Sequence, residues 1–212
     1  MVTVSIEVIE SSDEAIKVRL KGIDRTYANA IRRFAISEVP CMAIDEVVIL
    51  ENSSVMYDEL LAHRLGLLPL KTDLDRYILP EQCDCRNPLG CSKCRVLLVL
   101  DAQSRDKVQT VYSGDLVSED KEVVPIEDKI PIVKLVPGQK IKLEAYAKLG
   151  KGKDHAKWQP VSASVLTETN KENEFDLCID SVGSLPASAI LAKAAETLHS
   201  KLEDFSAAKG LA

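Results

Sequence analysis

Over residues 2–8, Val2, Val4, Ile6 and Val8 alternate with Thr3, Ser5 and Glu7, the period of a half-buried strand. After the polar stretch Glu10 to Glu14 the pattern returns, with Ile16, Val18 and Leu20 set against Lys17, Arg19 and Lys21, so the chain is expected to open with a hairpin. The period then changes. From Asp24 to Pro40, Ala28, Ile31, Phe34, Ala35 and Val39 recur at the spacing of one helical face, with Asp24 or Thr26 available to cap and Pro40 to stop the helix. Asn29, Arg32 and Arg33 occupy its other faces.

Ala43 to Leu50 reads as a strand, and Val55 to Leu65 as a helix capped by Ser54 and ended by Gly66, with Asp58 and Glu59 in its first turns. Residues 73–137 break into short apolar runs at Pro80, Pro88, Pro125, Pro131 and Pro137, which suggests an insert of short strands and loops. Gln139 to Leu149 alternates strictly, Trp158 to Leu166 is a further strand candidate, and Phe175, Leu177 and Ile179 alternate with Asp176, Cys178 and Asp180. A long helix follows. Ser184 is its expected cap, Pro186 lies near its first turn, and Leu191, Ala194, Ala195, Leu198, Leu202 and Phe205 make its apolar stripe.

Amphipathic helices near each end, beside alternating strands, predict an α+β chain: a sheet with helices on one face, interrupted by an inserted domain of mixed structure. A sheet covers one face of each helix, so apolar surface left over between Ala28 and Val39 and between Leu191 and Phe205 calls for a partner chain.

Composition narrows the function classes. With 46% hydrophobic and 28% charged residues the chain reads as soluble and globular, and no apolar run approaches the length that crosses a bilayer. The opening MVTVSIEVIE has no basic segment followed by an apolar block, so no signal peptide is expected and the location is intracellular. A net charge of -6 argues against a general nucleic-acid binder.

The chemistry concentrates in Cys83, Cys85, Cys91 and Cys94, spaced C-x-C-x5-C-x2-C. Pro88 and Gly90 let that loop fold back so that two sulfur pairs face one ion, and four thiolates close a tetrahedral zinc shell of structural type. An iron–sulfur cluster uses the same ligands and is the alternative; redox or idle cysteines are a third reading. Cys41 and Cys178 stand apart with no assigned role. The stretch KLGKGKDHAKWQP, 148–160, gathers Lys148, Lys151, Lys153 and Lys157 beside His155 and Trp158, with Gly150 and Gly152 forming a flexible turn. It reads either as a site for phosphate or an acidic protein surface, or as a solvated hairpin loop anchored by its tryptophan. His63, His155 and His199 have no neighbouring nucleophile or carboxylate pattern, and neither a GxxxxGK loop nor an HExxH helix occurs, so no active site is expected.

Five stretches together resemble one family: ANAIRRFAISEVPCMAIDEV (28–47), DELLAHRLGLLPL (58–70), the CDC and CSKC loop, GKGKDHAKWQP (150–160) and FDLCIDSVGSL (175–185). They are similar to the D subunits of archaeal RNA polymerase, relatives of the third-largest subunit of eukaryotic RNA polymerase II and of the amino-terminal domain of bacterial alpha. The resemblance covers nearly the whole chain. It implies a non-catalytic assembly subunit in transcription, with a discontinuous dimerisation domain (1–42 and 166–212) around an inserted domain (43–165) that carries a zinc loop at 83–94.

By that resemblance Ala28, Ile31, Phe34, Ala35, Leu191, Leu198 and Leu202 meet the small subunit L. Arg32, Arg33, His155, Lys157 and Trp158 face the large catalytic subunits, and small subunits N and P are further partners. Sequence-specific DNA contact is not implied. The implied location is the cytoplasm, or the nucleus if the source is eukaryotic. There is one departure: many archaeal members carry a ferredoxin-like domain with a second cysteine cluster before the last strand, and here a short polar link and no second cluster stand in its place. The competing reading is a free-standing zinc-binding nucleic-acid module.

Overall fold

The computed structural model describes residues 4–85, 87 and 90–208, so the expectations for Val2 and Pro88 lie outside the described residues. The chain forms two compact units, one from its two ends, 1–41 and 151–212, and one from residues 42–150.

The first unit is a four-stranded antiparallel sheet of β1 (Ser5–Ser11), β2 (Ala15–Lys21), β10 (Glu174–Ser181) and β9 (Val161–Glu168), in the order β1-β2-β10-β9. Register places Ile16, Val18 and Leu20 of β2 opposite Ile179, Leu177 and Phe175 of β10, so the buried positions of both strands share one face. Helices α1 (Arg25–Ser37) and α3 (Ala187–Ala208) bury Ala28, Ala35, Ala187, Ile190 and Ala194. On the opposite face the Arg19 guanidinium donates to both carboxylate oxygens of Asp176, at 2.7 and 3.1 Å.

The hairpin forms, but β1 is exposed along its whole length. Ile6 and Val8 pair with Leu20 and Val18 and share their face, yet remain 61% and 58% exposed. The half-burial expected from alternation therefore stops one strand short of the sheet edge, because the helix layer packs mainly on β2, β10 and β9.

Asp24, not Thr26, caps α1: its side chain accepts from the Thr26 amide at 2.7 Å. At the start of α3 the expected cap fails. The Ser184 hydroxyl is buried without a hydrogen-bond partner, and the Ala187 amide donates instead to the Asp13 carbonyl of the β1–β2 turn.

The second unit holds a sheet in the order β3-β8-β4-β6, built from β3 (Pro40–Asn52), β8 (Lys140–Lys151), β4 (Val96–Gln103) and β6 (Val117–Ser118). A separate pair joins β5 (Gln109–Tyr112) to β7 (Pro131–Leu135). Its core gathers Ile44, Leu98, Leu100, Leu135, Ile141 and Leu143 with Leu61 and Leu65 from α2 (Asp58–Gly66). Helix α2 starts three residues later than its apolar pattern suggested. The Ser54 hydroxyl binds the Asn52 side chain and accepts from the Met56 amide, so it closes a turn ahead of the helix and leaves Val55 82% exposed. Strand β8 continues through Gly150, where the sequence suggested a flexible turn, and β9 belongs to the sheet of the first unit from Val161 onward.

Candidate functional site

Cys83 leaves a single 3-10 turn at Pro80–Gln82, its amide donating to the Pro80 carbonyl. At the far end of the loop the amides of Cys94 and Arg95 both donate to the Cys91 carbonyl, and the Cys91 amide points at the Cys94 sulfur, 3.2 Å away. Gly90 makes the reversal: its φ of +76° is left-handed, and a Cβ there would come within 3.1 to 3.3 Å of Arg95 and the Cys94 Sγ.

The result is a cluster of four sulfurs, all within 4.8 Å of one another. Sγ separations are 3.6 Å for Cys83 and Cys91, 3.8 Å for Cys91 and Cys94, and 3.9 Å for Cys85 and Cys94. Zinc–sulfur bonds of about 2.3 Å in a tetrahedron require an S···S edge of about 3.8 Å. Three of the six separations thus match that edge, and the remaining pairs stay within 4.8 Å, so the four sulfurs could hold a metal ion. The sulfurs are also too far apart for disulfides, whose S–S length is about 2.05 Å. The Lys93 backbone N–H pulls the Cys91 thiol down to about 7, within reach of ionisation at neutral pH, while burial pushes Cys94 up. Cys41 is buried elsewhere, and the Cys178 thiol donates to Asp180 Oδ1 at 3.6 Å.

The basic stretch is tied down by acidic and aromatic neighbours. Lys148 pairs with Asp45 at 2.5 Å. Lys151 and Lys153 lie 3.6 and 3.8 Å from one oxygen of Glu38, at the C-terminal end of α1. The Lys153 amide donates to the Ser37 carbonyl at 3.0 Å, satisfying one of the carbonyls that a helix end leaves open. Gly152 permits this approach, since a Cβ there would lie 2.2 Å from the Ile36 carbonyl oxygen. Beyond it, His155 Nδ1 accepts from the Lys157 amide, the Lys157 ammonium sits 4.3 Å from the Trp158 ring centre, and Trp158 is 9% exposed. His155 therefore shapes a turn, and the segment docks on the end of α1.

Sequence reasoning passed over Glu38. The signal was present: a carboxylate at the C-terminus of a helix faces the negative end of the dipole and needs cations beside it. Desolvation works against the charge of Glu38, but the Lys201 ammonium, at 2.6 Å, together with Lys153 and Lys151, holds it below the usual glutamate range.

Of the residues expected on a partner surface, Ala28 and Ala35 have no exposed area and pack inside the chain. Ile31, Phe34, Leu191 and Leu198 are half-buried, and Leu202 is exposed, as is Phe205 one turn further along. Arg32 is half-buried, donating to Asn29 Oδ1 at 2.9 Å and to the Ser164 carbonyl at 3.4 Å, whereas Arg33 is exposed. Among the described residues no helix is long and apolar enough to cross a membrane.

A sequence profile for the RNA polymerase Rpb3/RpoA insert domain matches residues 42–167. The chain is 42% identical over 181 residues to the DNA-directed RNA polymerase subunit Rpo3 of Methanosphaera stadtmanae, covering 81% of this chain and 66% of the relative. It is 48% identical over 175 residues to that of Pyrobaculum neutrophilum, covering 82% and 66%, and 54% identical over 160 residues to that of Pyrobaculum islandicum, covering 74% and 59%. The chain thus spans slightly less than two thirds of the length of these curated relatives.

Proposed function

Because the chain belongs to the family of the RNA polymerase Rpb3/RpoA insert domain, we propose that it is a non-catalytic assembly subunit of a DNA-directed RNA polymerase. The observation that carries this reading is the family match over 42–167, joined by the relatives described above, which bear the name of a polymerase subunit. In it the unit formed by the two chain ends is the dimerisation domain, and it pairs with the small subunit L through Ile31, Phe34, Leu191, Leu198 and Leu202. Ala28 and Ala35 support that surface from behind, their small side chains letting α1 sit close to its own sheet. Arg33 and the turn holding His155, Lys157 and Trp158 face the two large subunits, and the small subunits N and P complete the assembly. Catalysis and its magnesium belong to the large subunits.

The 83–94 loop holds one zinc ion as a structural clamp. Its sulfur spacing supports a single ion, since a cluster of several irons distributes its cysteines over different metal atoms. Zinc there replaces the hydrophobic core that a loop of this size lacks. The reading places the protein in the cytoplasm of an archaeon.

The zinc-binding nucleic-acid module is the weaker reading, because Lys148, Lys151 and Lys153 pair with Asp45 and Glu38 and Lys157 lies against Trp158. Titration of the isolated chain with duplex DNA at rising salt separates the two. A platform subunit gives weak binding with a shallow salt slope. Tight binding that falls about a thousandfold or more between 50 and 200 mM salt would put the nucleic-acid reading first.

A further inference from the structure

The carboxylate of Glu38 divides its two oxygens between elements that are far apart in sequence. Oε1 accepts from the Lys201 ammonium of α3 at 2.6 Å, while Oε2 faces Lys151 at 3.6 Å and Lys153 at 3.8 Å. The side chain is 11% exposed, so water does little to replace a lost cation. Lys201 also lies over the Phe34 ring at 5.2 Å, on the side where α1 and α3 pack together.

We infer that Glu38 couples helix α3 to the segment 151–158, so that an occupant seated on α3 also fixes the turn that presents His155 and Lys157 and is anchored by the buried Trp158. Lys201 sits next to the exposed Leu202 and three residues after Leu198, and its own side chain is 44% exposed. A chain that covers these leucines takes water away from the Lys201–Glu38 pair and strengthens it. The carboxylate then holds one position, and Lys151 and Lys153 have a fixed counter-charge against which the segment docks. Coupling of this kind is reciprocal: whatever immobilises the segment also favours the occupant of α3. In an assembly subunit the consequence is that the docking of the 151–158 turn depends on whether α3 is covered. That consequence rests on the polymerase reading above, whereas the coupling itself is a property of the lone chain.

The test therefore uses the full chain without partners. Trp158 is its sole tryptophan, so its fluorescence reports the segment without labelling, and amide hydrogen exchange followed by mass spectrometry reports residues 151–158 directly. Lys201→Met keeps the aliphatic stem on α3 and removes the charge. Exchange across 151–158 is expected to speed up by about fivefold or more, with a shifted Trp158 emission, although residue 201 does not belong to the segment. Lys201→Arg is expected to restore the parental rate. Glu38→Gln is expected to produce the same loosening, and adding Lys201→Met to it no further change, the non-additivity of groups acting through one carboxylate. Parental exchange in Lys201→Met, or additive effects in the double variant, would overturn the coupling. Should Glu38→Gln fail to fold, the Lys201→Met and Lys201→Arg pair decides alone.

Discussion

Replacing Cys91 and Cys94 together by serine is expected to release about one metal ion per chain and to loosen the turn from Cys91 to Arg95. Both sulfurs occupy corners of the cluster, 3.8 Å from each other and 3.6 and 3.9 Å from Cys83 and Cys85. A serine hydroxyl stays protonated at neutral pH and is a poor zinc ligand, so the double variant keeps two of four thiolates, too few for a closed shell. The effect is large because metal binding supplies the folding energy of such loops, about 10–16 kcal/mol in isolated zinc-finger peptides. The clamp also reaches the neighbouring chain: the Ile78 amide donates to the Lys93 carbonyl, next to Tyr77, whose hydroxyl binds the buried Asp120 carboxylate. Elemental analysis of purified parent and variant decides the matter. One zinc in the parent and none in the variant is the expected result; unchanged metal content places the metal elsewhere, and iron with sulfide replaces the ion by a cluster.

Leu198→Asp with Leu202→Asp is expected to abolish pairing with the small subunit while leaving the lone chain folded. Leu202 is already 48% exposed and Leu198 half-buried, so carboxylates at these positions stay hydrated as long as α3 is uncovered. In a closed interface each would be buried without a counter-charge, at a cost of about 3–5 kcal/mol. Even one such penalty weakens association by about a hundredfold or more. Co-expression followed by size-exclusion chromatography reads the outcome, and circular dichroism of the lone variant checks its helices. A heterodimer of normal yield would refute the interface.

How far the sequence foretold the structure depended on which interactions each pattern encodes. Alternation located β2, β8 and β10 because their apolar sides meet a core inside the chain. The same alternation in β1 overstated burial: periodicity records that a face is apolar, but not whether the apolar partner lies in the same chain. Caps were read less well. Asp24 serves α1 as expected, but Ser54 is drawn into a turn by Asn52, and α3 takes a backbone carbonyl from the β1–β2 turn in place of Ser184. Both depend on neighbours that spacing alone does not identify. The four cysteines were legible from spacing because so few geometries close a four-sulfur shell, and they do converge. The role of the lysines was not, since Glu38 lies more than a hundred residues before Lys151, Lys153 and Lys201. Only the fold brings that carboxylate to them.

The central claim is that this chain works as part of a multisubunit polymerase, and purification of the tagged protein from the cells that encode it, in moderate salt and with mass spectrometry of what accompanies it, tests that most directly. The account predicts the two large polymerase subunits together with a small partner. Recovery of the chain alone, or with proteins unrelated to transcription, would contradict it.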